Sequence, residues 1–320
     1  MKSKQPIPTG SNSGAEDSRA TSGEAPSSAP HTVAVLGTGK MGSTIAARLS
    51  EAGYALVLWN RTQSRAEALG LGIVAETPAA AVREADLVIS SLTGPEAVMA
   101  TYSGPDGALT AGAGKHFVEM STAGADLVPE LAKEVNAAGG TLVDAPIIGA
   151  PPFVRAGKAA ILVGGSRGDV AIASRVLGAL GSVRHVGPLG SAARLKLVAN
   201  SMLADVITAA AELQVAGEAA GLDPIEVFWV LERIAPPLEA RRPGLLEDKH
   251  APLFAMRDLR KDLGFALALF GRSAARTPLT QSASELVTAV ADATPDLDIS
   301  AVVRPYREAV ASSAAPVATR

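Results

Sequence analysis

The stretch that decides the fold runs from His31 to Thr62. It reads His31-Thr-Val-Ala-Val-Leu36, then Gly37-Thr38-Gly39-Lys40-Met41-Gly42, then an amphipathic run to Gly53, then Tyr54 to Asn60, Arg61 and Thr62. An apolar strand enters a G-x-G-x-x-G turn, the turn opens a helix, and the helix leads to a second strand. Gly37 permits the tight turn, Gly39 lets the backbone approach a pyrophosphate, and Gly42 lets the helix lie close against the strand. The helix N-terminus offers free N–H groups and the positive end of its dipole to phosphate. The glycines alone are a weak signal, but the flanking strand, helix and second strand point to a bound dinucleotide. The alternative is a glycine-rich turn in a nucleotide-free α/β domain.

Outward from this unit, short apolar runs alternate with helical patterns. Strands are expected at Thr32–Leu36, Ala55–Asn60, Ile73–Ala75, Leu87–Ser91, His116–Met120, Thr141–Asp144, Ala160–Val163 and Val183–Val186. Such alternation implies a parallel, doubly wound sheet. At Gly190 the pattern changes, and no strand is expected beyond it. Leu195, Val198, Ala199, Met202, Val206, Ala209, Ala210 and Leu213 recur at helical spacing over a long run. Apolar residues over so much of one helix suit a spine between two domains or two subunits. Asp223, Pro224 and Glu226 mark the start of the next helix. Further helices are expected near Arg257–Phe270 and Thr277–Ala291.

The expected class is α/β, with an N-terminal Rossmann-like doubly wound sheet over 31–190, a long interdomain helix and an all-helical C-terminal domain over 191–320. Residues 1–30, rich in Ser, Gly, Ala and Pro, bury too little to offset the entropy of ordering and read as a disordered tail.

With 320 residues, 48% of them hydrophobic, the chain is long enough for two cores. A formal net charge of −3 gives no basic footprint for nucleic acid or an anionic membrane. Without cysteine there is no disulfide, thiolate nucleophile or Cys-ligated zinc, and the four scattered histidines lack metal-ligand spacing, so no metal site is assigned. No apolar run approaches the ~18 residues of a membrane helix. The N-terminus lacks the apolar centre of a secretory signal. A soluble cytoplasmic protein is expected.

The ribose-reading position lies ~20 residues beyond the glycines. An NAD site usually carries a carboxylate there. This chain has Asn60-Arg61-Thr62, then Ser64 and Arg65. A guanidinium among amide and hydroxyl donors suits a 2′-phosphate, so the cofactor is read as NADP. The alternative is a solvated Arg61 and a site that takes either cofactor.

Several blocks together resemble the β-hydroxyacid dehydrogenases, which include 3-hydroxyisobutyrate dehydrogenase and the glyoxylate/succinic semialdehyde reductases; imine reductases share the architecture. The blocks are Gly37-x-Gly39-x-Met41-Gly42, Glu119-Met-Ser121-Thr122, Asp144-Ala-Pro-Ile-Ile148-Gly149-Ala150, Gly190-Ser-Ala192-Ala-Arg-Leu-Lys196-Leu-Val-Ala199-Asn200, and Lys261-Asp262. The resemblance covers Val33 to about Ala291. It implies that Lys196 is the catalytic acid and base and that Asn200 assists it. It also implies that the turn, Leu92, Ser121, Thr122 and Lys261 line the cofactor, and that Ser121, Ile148, Gly149, Ala150 and Lys196 line the substrate.

The residues agree with that chemistry. Lys196 and Asn200, four apart on a helix, share a face. An ammonium can protonate a carbonyl oxygen as hydride reaches its carbon, and a partly desolvated lysine has its pKa lowered toward working pH. Ser121 and Thr122 either meet the nicotinamide or substrate, or cap a helix starting near Gly124. Lys261 either reaches the cleft or belongs to a surface cluster with Arg257 and Arg260, with Asp262 as its ion-pair partner. Phe228 and Trp229 read as core.

The chain departs from the family where Ile148 replaces a serine and Ala150 a glycine in the third block, and where Ala192 and Ala199 replace a glycine and an asparagine in the fourth. An isoleucine donates no hydrogen bond, so an anionic substrate loses a charge-assisted bond of ~1.5–3 kcal/mol unless Arg155 replaces it. The expected function is NADP-dependent reduction of a small aldehyde, keto acid or imine. The alternatives are an enzyme specialised for cyclic imines and a non-catalytic NADP-binding scaffold. The long apolar helix leads us to expect a homodimer.

Overall fold

The computed structural model describes residues 31–273 and 276–313. The tail expected at 1–30 lies outside the described residues.

The strands are β1 (Thr32–Leu36), β2 (Ala55–Trp59), β3 (Ile73–Val74), β4 (Leu87–Ser90), β5 (His116–Glu119), β6 (Thr141–Asp144), β7 (Ile147–Ile148), β8 (Ala159–Gly164) and β9 (Gly181–Gly187). The helices among them are α1 (Lys40–Glu51), α2 (Gln63–Glu67), α3 (Pro78–Arg83), α4 (Pro95–Tyr102), α5 (Leu127–Ala137), α6 (Pro151–Arg155) and α7 (Arg167–Leu177). One sheet holds all nine strands in the order β3-β2-β1-β4-β5-β6-β8-β7, with β9 on β8. From β3 to β6 it is parallel. β1 and β4 are near-continuous apolar runs, Val33–Leu36 and Leu87–Ile89, because helices cover both faces of the sheet. Their carboxyl ends flank the point where strand order reverses, which in open α/β sheets opens a ligand crevice.

The sheet departs from the expected parallel form at its far end. β8 runs antiparallel to β6 and to β7, a two-residue strand absent from the sequence reading. The chain between β7 and β8 holds only the five-residue α6, too little for a parallel crossover, so it doubles back. β9 then returns parallel to β8 through α7.

Beyond β9 come α8 (Ser191–Ala219), α9 (Pro224–Ile234), α10 (Arg242–Glu247), α11 (Met256–Arg272), α12 (Pro278–Ala293) and α13 (Val303–Ser313). The α10 and α13 helices are additions to the expected set. Beyond Ser191 the described residues hold one isolated bridge, Ala255 to Asp298, and no strand. The 29 residues of α8 span about 43 Å. One side of α8 packs Ala204, Ile207, Ala211 and Val215 into a second core with Phe228, Leu259, Leu263 and Val287. Leu195, Val198, Met202 and Leu213 stay exposed on its other side. Asp223 caps α9 as expected, accepting the N–H groups of Ile225 and Glu226. Phe228 is buried, whereas Trp229, expected in the core, is 48% exposed beside Ile225, Val230 and Ile234. Among the described residues no helix is long and apolar enough to cross a membrane, and no His, Asp and Glu side chains gather as a metal centre would require.

Candidate active site

The glycine turn sits at the carboxyl end of β1. Gly37 has φ +97°, and a Cβ there would meet the Ser91 carbonyl at 2.4 Å and the Leu92 side chain at 2.8 Å. A Cβ on Gly42 would lie 1.9 Å from the Gly37 carbonyl, whereas the space at Gly39 is open. The first and third glycines are thus required by packing, and the second leaves room over the backbone. Thr38 is buried, and among the described residues its Oγ1 has no partner. An unpartnered buried hydroxyl is costly, and a phosphate oxygen would satisfy it. Met41 packs on the sheet core. Lys40 reaches across to the helical half, where its Nζ donates to the Pro252 carbonyl at 3.4 Å.

At the end of β2, the Asn60 Oδ1 accepts the Thr38 N–H at 3.0 Å and its Nδ2 donates to the Thr62 carbonyl at 2.9 Å. Asn60 therefore ties the ribose-reading loop to the glycine turn. One of its two amide hydrogens is used in this tie, and the second is left for a ligand. Arg61 and Arg65 are exposed, and among the described residues neither guanidinium has an ion-pair or side-chain hydrogen-bond partner.

Ser121 and Thr122 follow β5. Ser121 Oγ accepts the Leu92 N–H at 2.8 Å, and its hydroxyl hydrogen is directed to the Glu119 carboxyl. The Ser121 N–H donates to Glu119 Oε1 at 2.7 Å, Ser90 Oγ donates to Glu119 Oε2 at 2.5 Å, and the Tyr102 and Ser90 hydroxyls share a hydrogen bond of 2.7 Å. Burial pushes the Glu119 carboxyl upward from its ordinary value, against the lowering effect of the bonds from Ser121, Ser90 and Tyr102. Helix α5 begins at Leu127, so neither Ser121 nor Thr122 caps it.

Lys196 and Asn200 lie on α8, where it leaves the sheet. Among the described residues the Lys196 ammonium makes no hydrogen bond and no close ion pair. Its pKa is lowered to about 8, first by burial, which Asp262 opposes and Lys261 reinforces. Asn200 is 4% exposed, and its Nδ2 donates to Asp262 Oδ2 at 2.5 Å. Lys261 Nζ donates to the Thr122 carbonyl at 2.6 Å and to Asp262 Oδ1 at 2.8 Å. Lys261 thus leaves the surface cluster, in which Arg257 pairs with Asp296 and Arg260 with Asp292. Asp262 is more than the ion-pair partner of its neighbour: one buried carboxylate gathers Asn200, Lys261 and the field of Lys196.

Ile148 is half-buried on β7 opposite Ala160, followed by the exposed Gly149 at φ +138° and the half-buried Ala150. Arg155, nearby in sequence, pairs with Glu51 of α1 at 2.6 Å. The sequence reading passed over Glu119 and Asp144 as bearers of a role. A carboxylate closing an apolar strand is the signal that was available, since a buried charge demands partners.

A glycine cradle at the head of a parallel sheet, with a lysine-bearing helix leaving the sheet's far end, defines a protein of the NAD(P)-binding class. The family profile for the NAD binding domain of 6-phosphogluconate dehydrogenase matches residues 32–188, and that for the NAD-binding region of NADP-dependent 3-hydroxyisobutyrate dehydrogenase matches 190–306. The chain is 31% identical over 280 residues to mouse cytokine-like nuclear factor N-PAC, covering 86% of this chain and 50% of that protein. It therefore spans about half the length of the first curated relatives it matches. It is 28% identical over 285 residues to the chloroplastic glyoxylate/succinic semialdehyde reductase 2 of Arabidopsis thaliana, covering 87% of this chain and 80% of that one. The structure of Mycobacterium tuberculosis 3-hydroxyisobutyrate dehydrogenase with L-serine superposes at a TM-score of 0.77 with 28% identity, over 87% of this chain and 99% of that one. The chain belongs to the β-hydroxyacid dehydrogenase family.

Proposed function

We propose that the chain is an NADP-dependent reductase that transfers hydride to a small carbonyl, a semialdehyde or keto acid, with Lys196 as proton donor. The observation that carries this reading is the unpaired ammonium of Lys196, its pKa lowered to about 8 beside Asn200, Asp262 and Lys261. Residues 31–190 form the cofactor half and the helices from 191 onward close the cleft. The cradle fits the cofactor: the Thr38 hydroxyl and the turn backbone suit a pyrophosphate, and Arg61 and Arg65 suit a 2′-phosphate. Bound NADPH would supply the hydride. The chain's own part is to deliver the Lys196 proton to the carbonyl oxygen, leaving an alcohol and a neutral amine. Lys261, bonded to the Thr122 carbonyl, ties the helical half to the nicotinamide side of the sheet.

Ile148 favours a second reading, reduction of cyclic imines, because an apolar wall gives no anchor to a carboxylate. The test is consumption of NADPH and of NADH with succinic semialdehyde, glyoxylate and 1-pyrroline. Faster oxidation of NADPH than NADH with either aldehyde is expected. Turnover of the imine alone would replace the first reading by the second, and tight NADPH binding with no turnover would leave a scaffold.

The exposed apolar face of α8, continued by Ile225, Trp229 and Val230 on α9, supports a homodimer in which the helical half of one copy covers the cleft edge of the other. Met202, 63% exposed, lies near the middle of the α8 face. The wild type is expected to sediment as a dimer at micromolar concentration, and Met202→Glu as a monomer. A monomeric wild type would overturn this.

A further inference from the structure

The buried carboxylate of Asp144 takes no part in the proton transfer, yet both of its oxygens accept hydrogen bonds. It ends β6, is 1% exposed, and lies 46 residues before Gly190, the cap residue of α8. Its Oδ1 accepts the Gly190 N–H at 2.8 Å and its Oδ2 accepts the Ala193 N–H at 2.7 Å. The first N–H groups of a helix have no partner within the helix, and the cap residue of α8 is Gly190, which has no side chain to offer and sits at φ +85°. A sheet residue therefore caps the long helix from outside it. Room for the carboxylate is built in. A Cβ on Gly164, the residue paired with Asp144 across β6 and β8, would meet Asp144 Oδ1 at 2.3 Å.

We infer that Asp144 is the positioning residue that seats Lys196: by clamping the first turn of α8 to the end of β6, it fixes where the lysine emerges relative to the nicotinamide side of the sheet. Lys196 lies one turn beyond Ala193 on the same helix, so a shift of the clamped turn carries the ammonium with it. The clamp combines two charge-assisted bonds with the favourable placing of a negative group at the positive end of a helix dipole. The charged groups facing Lys196 itself, Asp262 and Lys261, come from α11, so the clamp and the electrostatic partners are separate structures. This inference rests on the proposed role of Lys196, and its test does not need turnover.

Asp144→Asn preserves shape, but it sets an amide NH2 against one of the two backbone N–H groups. Ala193→Pro removes one of those N–H groups and leaves the carboxylate, at a position in the first helical turn where the N–H has no partner in the helix itself. The readout is the titration of the Lys196 amine, followed by NMR of the 13C-methylated protein against a Lys196→Arg control, beside NADPH affinity by fluorescence and thermal midpoint. In both variants the Lys196 pKa is expected to rise from about 8 toward the ordinary lysine value, because a loosened first turn lets water reach the amine. NADPH affinity should hold within about twofold, and where a substrate is turned over, kcat should fall by at least about tenfold with little change in KM. A folded variant that binds NADPH and titrates Lys196 at the wild-type value overturns the inference. If Asp144→Asn does not fold, Ala193→Pro carries the same readout. An inactive wild type would sink the reductase reading and leave the titration result standing.

Discussion

Replacing Lys196 with Met is expected to lower kcat for carbonyl reduction by about 10²–10⁴-fold, the usual worth of a positioned proton donor, while NADPH binding stays close to wild type. Methionine keeps most of the aliphatic stem and so separates loss of the proton from loss of packing. The pH dependence follows from the lowered pKa. On the proposed role of Lys196 reduction needs the ammonium, so wild-type kcat should decline as pH rises through about 8, and the reverse oxidation, which needs the free amine, should rise through the same range. The variant should lose both limbs. Stopped-flow measurement of hydride transfer with saturating NADPH checks this, since product release is then out of the way. An unchanged rate, or a limb near pH 8 that persists in the variant, would mean that the proton comes from elsewhere.

The parts of this site that could be read from the sequence are those whose constraint is local. A glycine without which two backbones collide, as at Gly42, leaves a fixed spacing in the chain, and the turn was legible from it. The strands β1 and β4 were legible because burial on both faces writes them as unbroken apolar runs. The cap at Asp223 was legible because its partners lie two and three residues away. What was not legible depends on long-range pairing. The reversal of β8 follows from the shortness of α6, which periodicity over five residues does not reveal. The tie from Asn60 to the Thr38 N–H spans 22 residues and has no local signature. Asp144 and Asp262 act on residues 46 and 62 positions away, and their neighbourhood does not say which residues those are. The exposure of Trp229 has the same origin. Its helix was correctly placed, but which side faces the core depends on how α9 lies against α8, and Phe228 takes the inward position.

The distant pairing at Asp262 has the second large consequence. Asp262→Ala removes the carboxylate that accepts from both Asn200 and Lys261 and whose field holds Lys196 toward its charged form. Breaking a buried ion pair by deleting one partner typically costs about 3–5 kcal/mol. Here the lower end is expected, because Lys261 is 27% exposed and keeps its bond to the Thr122 carbonyl. A fall in thermal midpoint should therefore accompany the kinetic change. The sign of the kinetic change is fixed by the causes acting on Lys196. Burial and Lys261 lower its pKa and Asp262 raises it, so removing Asp262 lets the first two act unopposed and moves the pKa below about 8. The alkaline decline of kcat in reduction should shift toward acid, and the loss relative to wild type should be greater at pH 8 than at pH 6. This is opposite in direction to the upward shift expected from Asp144→Asn, so the two variants separate loss of the field from loss of the seat. Asp262→Asn should behave like Asp262→Ala rather than like wild type: an amide has a single acceptor oxygen for two donors, and its NH2 would face either the Lys261 ammonium or the Asn200 amide. A pH–kcat profile for each variant, taken alongside its melting curve, decides the matter. Folded Asp262→Ala with its decline still near pH 8 and kcat within about twofold of wild type would show that the carboxylate serves only to hold α11 against α8.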